Sequence, residues 1–100
     1  MNLIPNNIQI PSIGETEMLR DPIVLIKLFH PSTSWSWFIT EYSKDGDLCF
    51  GLVDGHEQEL GYFSLKELRQ IIICGVRIER DLHFLPVPLS KLRESLKEGM

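Results

Sequence analysis

Two Asp-Gly pairs, Asp45-Gly46 and Asp54-Gly55, constrain the fold of this chain more than any other feature of its sequence. They separate three short segments with strand-like patterning, residues 35–42, 48–53 and 57–63. An Asp-Gly pair between two such segments is a strong signal for a β-hairpin, because tight turns favour both residue types. We therefore expect three consecutive antiparallel strands in the middle of the chain.

The side chains of a strand alternate between its two faces. In residues 35–42 this alternation predicts Trp37, Ile39 and Glu41 on one face of the sheet and Phe38 and Tyr42 on the other.

Two flanking segments, residues 23–29 and 76–84, also alternate between apolar and polar residues, and they predict two further strands. Pro86 and Pro88 end the second of them.

Helical signals follow the last strand of the middle region. Ser64-Leu65-Lys66-Glu67 is a capping box, and the apolar spacing that follows it predicts a helix that ends near Gly75. Residues 89–97 predict a second short amphipathic helix, with leucines on one face. The expected fold class is therefore α+β: an antiparallel meander sheet of about four to five strands, with two short helices packed on it.

The chain of 100 residues has the size of one domain, with a loosely ordered lead-in over residues 1–20 and a compact core over residues 21–97. The core is expected to contain Ile23, Leu25, Leu28, Trp37, Ile39, Phe50, Leu52, Leu60, Phe63, Leu68, Ile71, Ile78 and Leu82. Cys49 and Cys74 lie in apolar runs, so both are expected to be buried, reduced thiols.

The composition of the chain and the length of its apolar runs indicate which partners and which cellular compartment to expect. The chain carries 14 acidic and 10 basic residues, a net charge of -4, which argues against general capture of nucleic acid by a basic face. The apolar runs are too short to span a bilayer, and the N-terminus lacks the pattern of a signal peptide, so the cytoplasm is the expected compartment.

The first candidate site is the cluster of Asp54, His56, Glu57 and Glu59. An imidazole near carboxylates is suited to bind a divalent metal or to act as an acid/base pair. The same residues also suit a tight turn and a solvated strand face, since Asp forms local hydrogen bonds in turns. We favour the turn interpretation, because a metal site needs at least three convergent ligands.

The second candidate is Glu79-Arg80-Asp81 with His83, which Glu41 could join across the sheet. Arginine binds carboxylates in a bidentate geometry, so this cluster favours a structural Arg–Glu pair over a catalytic one.

The aromatic residues suggest a third type of site. Trp35 begins a strand and is a candidate for an exposed interface residue, as is Tyr62. A stacking platform for single-stranded nucleic acid would need a basic rim, which the sparse Lys and Arg residues do not provide. The sequence contains no phosphate-binding loop, nucleophile elbow or Cys-x-x-Cys motif, and no cofactor is expected.

Three segments of the chain are specific in combination: GLVDGHEQELGYFSLKEL at residues 51–68, WFITE at residues 37–41 and IERDLHF at residues 78–84. Together they resemble a bacterial protein family, domain of unknown function 2958. The resemblance extends over roughly residues 21–92, and the family's small proteins are typical of plasmids and other mobile elements. It implies an accessory protein of a mobile element, and within that context an inhibitor of a host nuclease.

The functional hypothesis from the sequence is a non-enzymatic interaction module that binds a protein partner. The alternatives are the nuclease inhibitor, a metal-assisted hydrolase or nuclease using Asp54, His56 and Glu57, and a binder of single-stranded nucleic acid. The candidate surface comprises Trp35, Asp54, His56, Glu57, Glu59, Tyr62, Glu79, Arg80 and Asp81.

Overall fold

The computed structural model describes residues 2–98 of the chain. The elements in this range are β1 (Ile23–Val24), β2 (Ile26–Phe29), β3 (Ser36–Ser43), β4 (Leu48–Asp54), β5 (Gln58–Ser64), α1 (Leu65–Arg69), β6 (Ile72–Ile73), β7 (Val76–Arg77), β8 (Glu79–Arg80), β9 (Val87–Pro88) and α2 (Leu89–Glu98). The α+β class with an antiparallel sheet and two helices is therefore confirmed.

The main sheet has five strands in the order β5-β4-β3-β2-β8, and all neighbours in it are antiparallel. The expected strand over residues 76–84 is divided in the structure. Its first part, β7, pairs with β6 in a separate small hairpin, whereas β8 pairs with β2 and forms one edge of the main sheet. The other edge is β5.

A β-bulge in β3 changes which face its later side chains occupy. Ile39 pairs with Gly51 but Glu41 pairs with Phe50, so Thr40 is the extra residue. The Thr40 hydroxyl donates a hydrogen bond to the Phe50 carbonyl at 3.1 Å. As a result Tyr42 packs with the Ile39 cluster and Glu41 turns to the opposite face, which reverses the alternation expected for these two residues.

Apolar side chains cover both faces of the sheet. On the first face Leu28, Trp37 and Ile39 pack against α1 and against Leu3 of the N-terminal segment. On the second face Phe38 and Leu52 pack against α2, through Leu89 and Leu92 among others. The sheet is therefore the central layer of three.

Most of the residues expected in the core are buried or half-buried, but three are exposed. Ile23, Leu60 and Leu82 are the exceptions, and each lies in a peripheral strand or in a loop. A peripheral position leaves one side of a residue without a neighbour to cover it.

The Ser64 hydroxyl begins α1, since it accepts a hydrogen bond from the Glu67 N–H as the capping box predicts. The Asp47 carboxylate, from the β3–β4 loop, supports the same helix end by accepting from the Ser64 hydroxyl at 2.8 Å and from the Lys66 N–H at 2.9 Å. Asp47 has a positive φ of 52°.

The expected helix reaching Gly75 is wrong in its length, because α1 ends at Arg69. The chain then forms the small β6–β7 hairpin, whose turn residues Cys74 and Gly75 both have positive φ. Two consecutive positive φ values are typical of a tight two-residue hairpin turn, which a helix cannot include. This turn also exposes Cys74, whereas Cys49 is buried as expected, and both thiols are free.

The N-terminal end of α2 is capped by Asp21, a residue 69 positions away in the sequence. The Asp21 carboxylate accepts hydrogen bonds from the Ser90 hydroxyl at 2.6 Å and from the Ser90 N–H at 2.9 Å. These two hydrogen bonds hold the pKa of Asp21 below its ordinary value. Neither helix of residues 2–98 has the length and apolar character needed to cross a membrane.

Candidate functional site

The Asp54–Glu59 region, the first candidate site, forms the tight connection between β4 and β5. Asp54 is the last residue of β4 and half-buried, while His56 and Glu57 are exposed in the turn. The Gly55 N–H donates a hydrogen bond to the Glu57 carbonyl at 3.2 Å, which closes the turn.

Trp35 packs on this turn. The centroids of the Trp35 and His56 rings lie 5.6 Å apart in an edge-to-face arrangement, and Trp35 also lies 6.0 Å from Trp37. A Cβ atom added to Gly55 would lie 2.5 Å from atoms of the Trp35 ring, so only glycine fits there. Trp35 is half-buried, and the Gly55-His56 segment forms part of its packing surface.

The carboxylates of this region do not converge. Asp54 pairs with Gln58 and Glu59 pairs with Val53, so strand alternation directs Asp54 and Glu59 to opposite faces of the sheet. No group of three or more His, Cys, Asp or Glu side chains in residues 2–98 is arranged to hold a metal ion.

The second candidate cluster lies at the opposite edge of the sheet, in β8 and just beyond it. The Arg80 guanidinium donates a hydrogen bond to the Asn2 carbonyl at 2.9 Å, which ties the N-terminal segment to this edge. Asp81 forms an ion pair with Lys27 at 3.8 Å and accepts from the His83 N–H. Glu79 is half-buried opposite Phe29.

Glu41 does not join that cluster. It is buried on the second face, where its carboxylate accepts hydrogen bonds from the Gly14 N–H at 2.8 Å, the Thr16 N–H at 2.9 Å and the Thr16 hydroxyl. Burial alone would raise the pKa of Glu41, but the hydrogen bonds from Thr16 and Gly14 together lower it below the ordinary value. Glu41 thus fixes the chain around residues 14–16 against the sheet.

Two large exposed side chains lie on the β5 edge of the sheet. The exposed fraction is 46% for Leu60 and 62% for Tyr62. The Tyr62 ring packs on Phe50 of β4, with 4.8 Å between the ring centroids. On the adjacent N-terminal segment Leu19 is exposed to 58% and Met18 to 94%.

A groove of about 320 Å³ separates these two groups of apolar residues, and we refer to it as the β5 groove. From the sheet, the groove is lined by Thr40 and Glu41 of β3, Phe50 of β4, and Leu60 and Tyr62 of β5. The lining residues opposite the sheet are Gly14, Thr16, Glu17, Leu19, Arg20, Pro22 and Leu89. Of the nine residues of the candidate surface, Tyr62 alone lines this groove, together with Glu41 from the second candidate cluster.

Sequence reasoning missed Leu60 and Leu19 as surface residues. Leu60 has the same strand pattern as core residues, and its position on the free edge strand β5 exposes it. The signal that could have indicated the edge is the charged residue Glu59 within this strand, because charged side chains are typical of edge strands.

No curated protein and no solved structure matches this chain. A family model described as a protein of unknown function, DUF2958, matches residues 4–98. This range includes the bulged strand, the Trp35 packing site and both helix caps. The chain therefore belongs to the DUF2958 family.

Proposed function

We propose that this protein is a non-enzymatic interaction module that binds a partner protein through the β5 edge and the β5 groove. The single observation that carries the proposal is the exposure of Leu60 and Tyr62 side by side on an edge strand of seven residues. Apolar side chains exposed at an unpaired strand edge raise the free energy of the free protein by their contact with water. In a complex the same side chains are buried, and the edge is paired.

The backbone of β5 supports binding of an extended segment. The Phe50 carbonyl points toward β3, where it accepts from Thr40. In an antiparallel ladder, the residue opposite Phe50 then directs its N–H and C=O away from β4. That residue is Tyr62, and Leu60 two positions earlier has the same orientation. A partner strand would pair with these groups and extend the sheet.

The β5 groove adds selectivity for side chains. Its apolar walls suit one apolar side chain of a partner strand, since alternate residues of that strand point to the same face. Glu17 and Arg20 line the groove and offer one charge of each sign for polar residues that flank the apolar anchor. A bound partner is therefore expected to be an extended segment with an apolar residue between polar ones.

The biological context is part of the proposal and rests on family resemblance. We infer that the protein acts in the bacterial cytoplasm as an accessory protein of a mobile element. Inhibition of a host nuclease is a narrower form of the same proposal, in which the nuclease is the partner.

The other two alternatives have no observation in their favour. A metal-assisted hydrolase needs the carboxylates and imidazole of Asp54, His56 and Glu57 to converge, and the turn separates them. A platform for single-stranded nucleic acid needs exposed aromatic rings within a basic rim. Trp35 is packed on Gly55, and beside the exposed Tyr62 the lining of the β5 groove includes one basic residue, Arg20.

The experiment is affinity capture from a bacterial lysate with the wild-type chain and with Leu60→Lys and Tyr62→Lys. Leu85→Lys is the matched control, because Leu85 is also strongly exposed but lies in the loop after β8. We expect wild type and the control to retain the same partner and both β5 variants to lose it.

Hydrogen exchange then tests the mode of binding. The amides of Leu60 and Tyr62 should become protected when the partner is added. Capture of only background proteins, or equal capture by Tyr62→Lys, contradicts the proposal.

A further inference from the structure

A second cavity lies on the sheet face opposite the β5 groove. Its volume is about 640 Å³, it is partly open to solvent, and it is lined by residues of the N-terminal segment 2–13, of the end of β3 and the loop between β3 and β4, and of the end of α1. This volume is within the range of roughly 300–1,000 Å³ that is typical of small-molecule sites. None of the residues selected from the sequence lines it.

One side of the cavity is formed by the N-terminal segment, which contributes both apolar and polar lining residues. They are Ile4, Pro5, Ile8, Ile10 and Ile13, together with Asn2, Asn6 and Ser12. Ile4 and Ile10 also contact the core of the first face, so this wall is fixed to the sheet.

The other side of the cavity is basic. Lys44 and Arg69 line it, and within residues 2–98 neither side chain has a carboxylate at ion-pair distance. Asp45 is the one acidic residue among the lining residues of this described range. The three side chains together carry a net charge of one positive unit.

Tyr42 also lines the cavity and carries a hydroxyl group. Burial raises the pKa of Tyr42, and the neighbouring Cys49 and Asp47 raise it further, while Arg69 opposes them. The phenol keeps its proton at neutral pH, because its pKa lies above the ordinary value of 10, so its hydroxyl can act as a hydrogen-bond donor.

We propose that this cavity binds a small amphipathic monocarboxylate. The carboxylate group would lie between Arg69 and Lys44 and accept from Tyr42, and the hydrocarbon part would contact the isoleucine wall. The net single positive charge of the lining matches a monoanion, and arginine binds carboxylates with two parallel hydrogen bonds. This site is separate from the β5 groove and does not depend on the proposed protein partner.

The test is titration of the full chain with octanoate, followed by calorimetry and by ¹H–¹⁵N NMR spectra. Two further ligands separate the contributions: octan-1-ol has the tail without the charge, and acetate has the charge without the tail. We expect saturable octanoate binding, with shift changes at Tyr42 and Ser43, and much weaker binding of the other two ligands.

Three variants complete the test. Arg69→Gln should weaken octanoate binding about tenfold or more, because a hydrogen-bonded charge partner is lost. Ile8→Gln should also weaken it, and since Ile8 is 38% exposed and lies outside the two core clusters, we expect this variant to fold. Lys91→Gln on the exposed side of α2 is the control and should bind as wild type does.

Three results would overturn the proposal. The first is absence of saturation up to the critical micelle concentration of octanoate. The second is an unchanged affinity of Arg69→Gln. The third is a set of shift changes centred on Leu60 and Tyr62, which would place the ligand in the β5 groove.

Discussion

The Trp35 ring lies so close to Gly55 that a Cβ atom on Gly55 would be 2.5 Å from the ring carbons Cη2 and Cζ3. Trp35 precedes β3 and Gly55 follows β4, so this contact links the two strands at one end of the sheet. His56 then packs against the edge of the same ring. These contacts give Gly55 and His56 a structural role, because both residues pack against the Trp35 ring.

Gly55→Ala is therefore expected to lower the free energy of unfolding by about 1–3 kcal/mol, because the Trp35 ring must move out of a packed position. Urea unfolding followed by tryptophan fluorescence measures this change. Gly61→Ala is the control, since a Cβ atom there meets no atom within 4 Å. Equal stability of Gly55→Ala and Gly61→Ala would contradict the packing role of Gly55.

Glu41→Gln is expected to lower the free energy of unfolding by about 1–3 kcal/mol. The Gln amide group would face N–H and O–H donors where the carboxylate now accepts from Gly14 and Thr16. Glu17→Gln, an exposed change beside the same groove, is the control and should be close to neutral.

The stability of the wild-type chain should also depend on pH through Glu41. Its folded-state pKa lies below the ordinary value of 4.5, so the stabilisation is complete above that value and is lost as the pH falls below it. Acid unfolding monitored by circular dichroism measures the dependence. The difference in free energy of unfolding between wild type and Glu41→Gln should therefore shrink below pH 4.5. An equal difference above and below pH 4.5 would contradict the role of the Glu41 carboxylate.

Asp47→Gly tests the cap that the β3–β4 loop provides for α1. Glycine tolerates the positive φ of Asp47, so the expected loss of about 1 kcal/mol comes from the missing hydrogen bonds to Ser64 and Lys66. Hydrogen exchange of the Lys66 amide should become faster. Asp45→Gly in the same loop is the control, and a Lys66 amide that exchanges equally in both variants would argue against the cap.

The two cysteines should differ in reactivity. Burial, together with the nearby Asp47, raises the pKa of Cys49 to about 12, whereas Cys74 is exposed in the turn between β6 and β7. We expect one thiol per chain to react with Ellman's reagent in native buffer and two in denaturant. Cys74→Asn, which suits the positive φ, should abolish the native reaction. Rapid reaction of two thiols in native buffer would contradict the burial of Cys49.

The sequence by itself determined the local structure of the middle region. Asp-Gly pairs and alternating side chains were sufficient for β3, β4 and β5, and the Ser64 capping box was sufficient for the start of α1. These features are local, because turn preference and hydrogen bonding within a few residues decide them. The length of α1 was not predicted, since the positive φ of Cys74 belongs to a hairpin that competes with the helix.

Only the tertiary structure decided which residues are exposed and which side chains meet. Leu60 has a core-like pattern but lies on an edge strand, and edge position depends on the order of strands rather than on their sequences. Glu41 changed face because of one bulged residue, and a one-residue shift reverses every later side chain. The β5 groove and the cavity lined by Lys44 and Arg69 both depend on the N-terminal segment. The contacts of this segment with Glu41 and Arg80 join residues that are 25 to 78 positions apart, so no local pattern in the sequence indicates them.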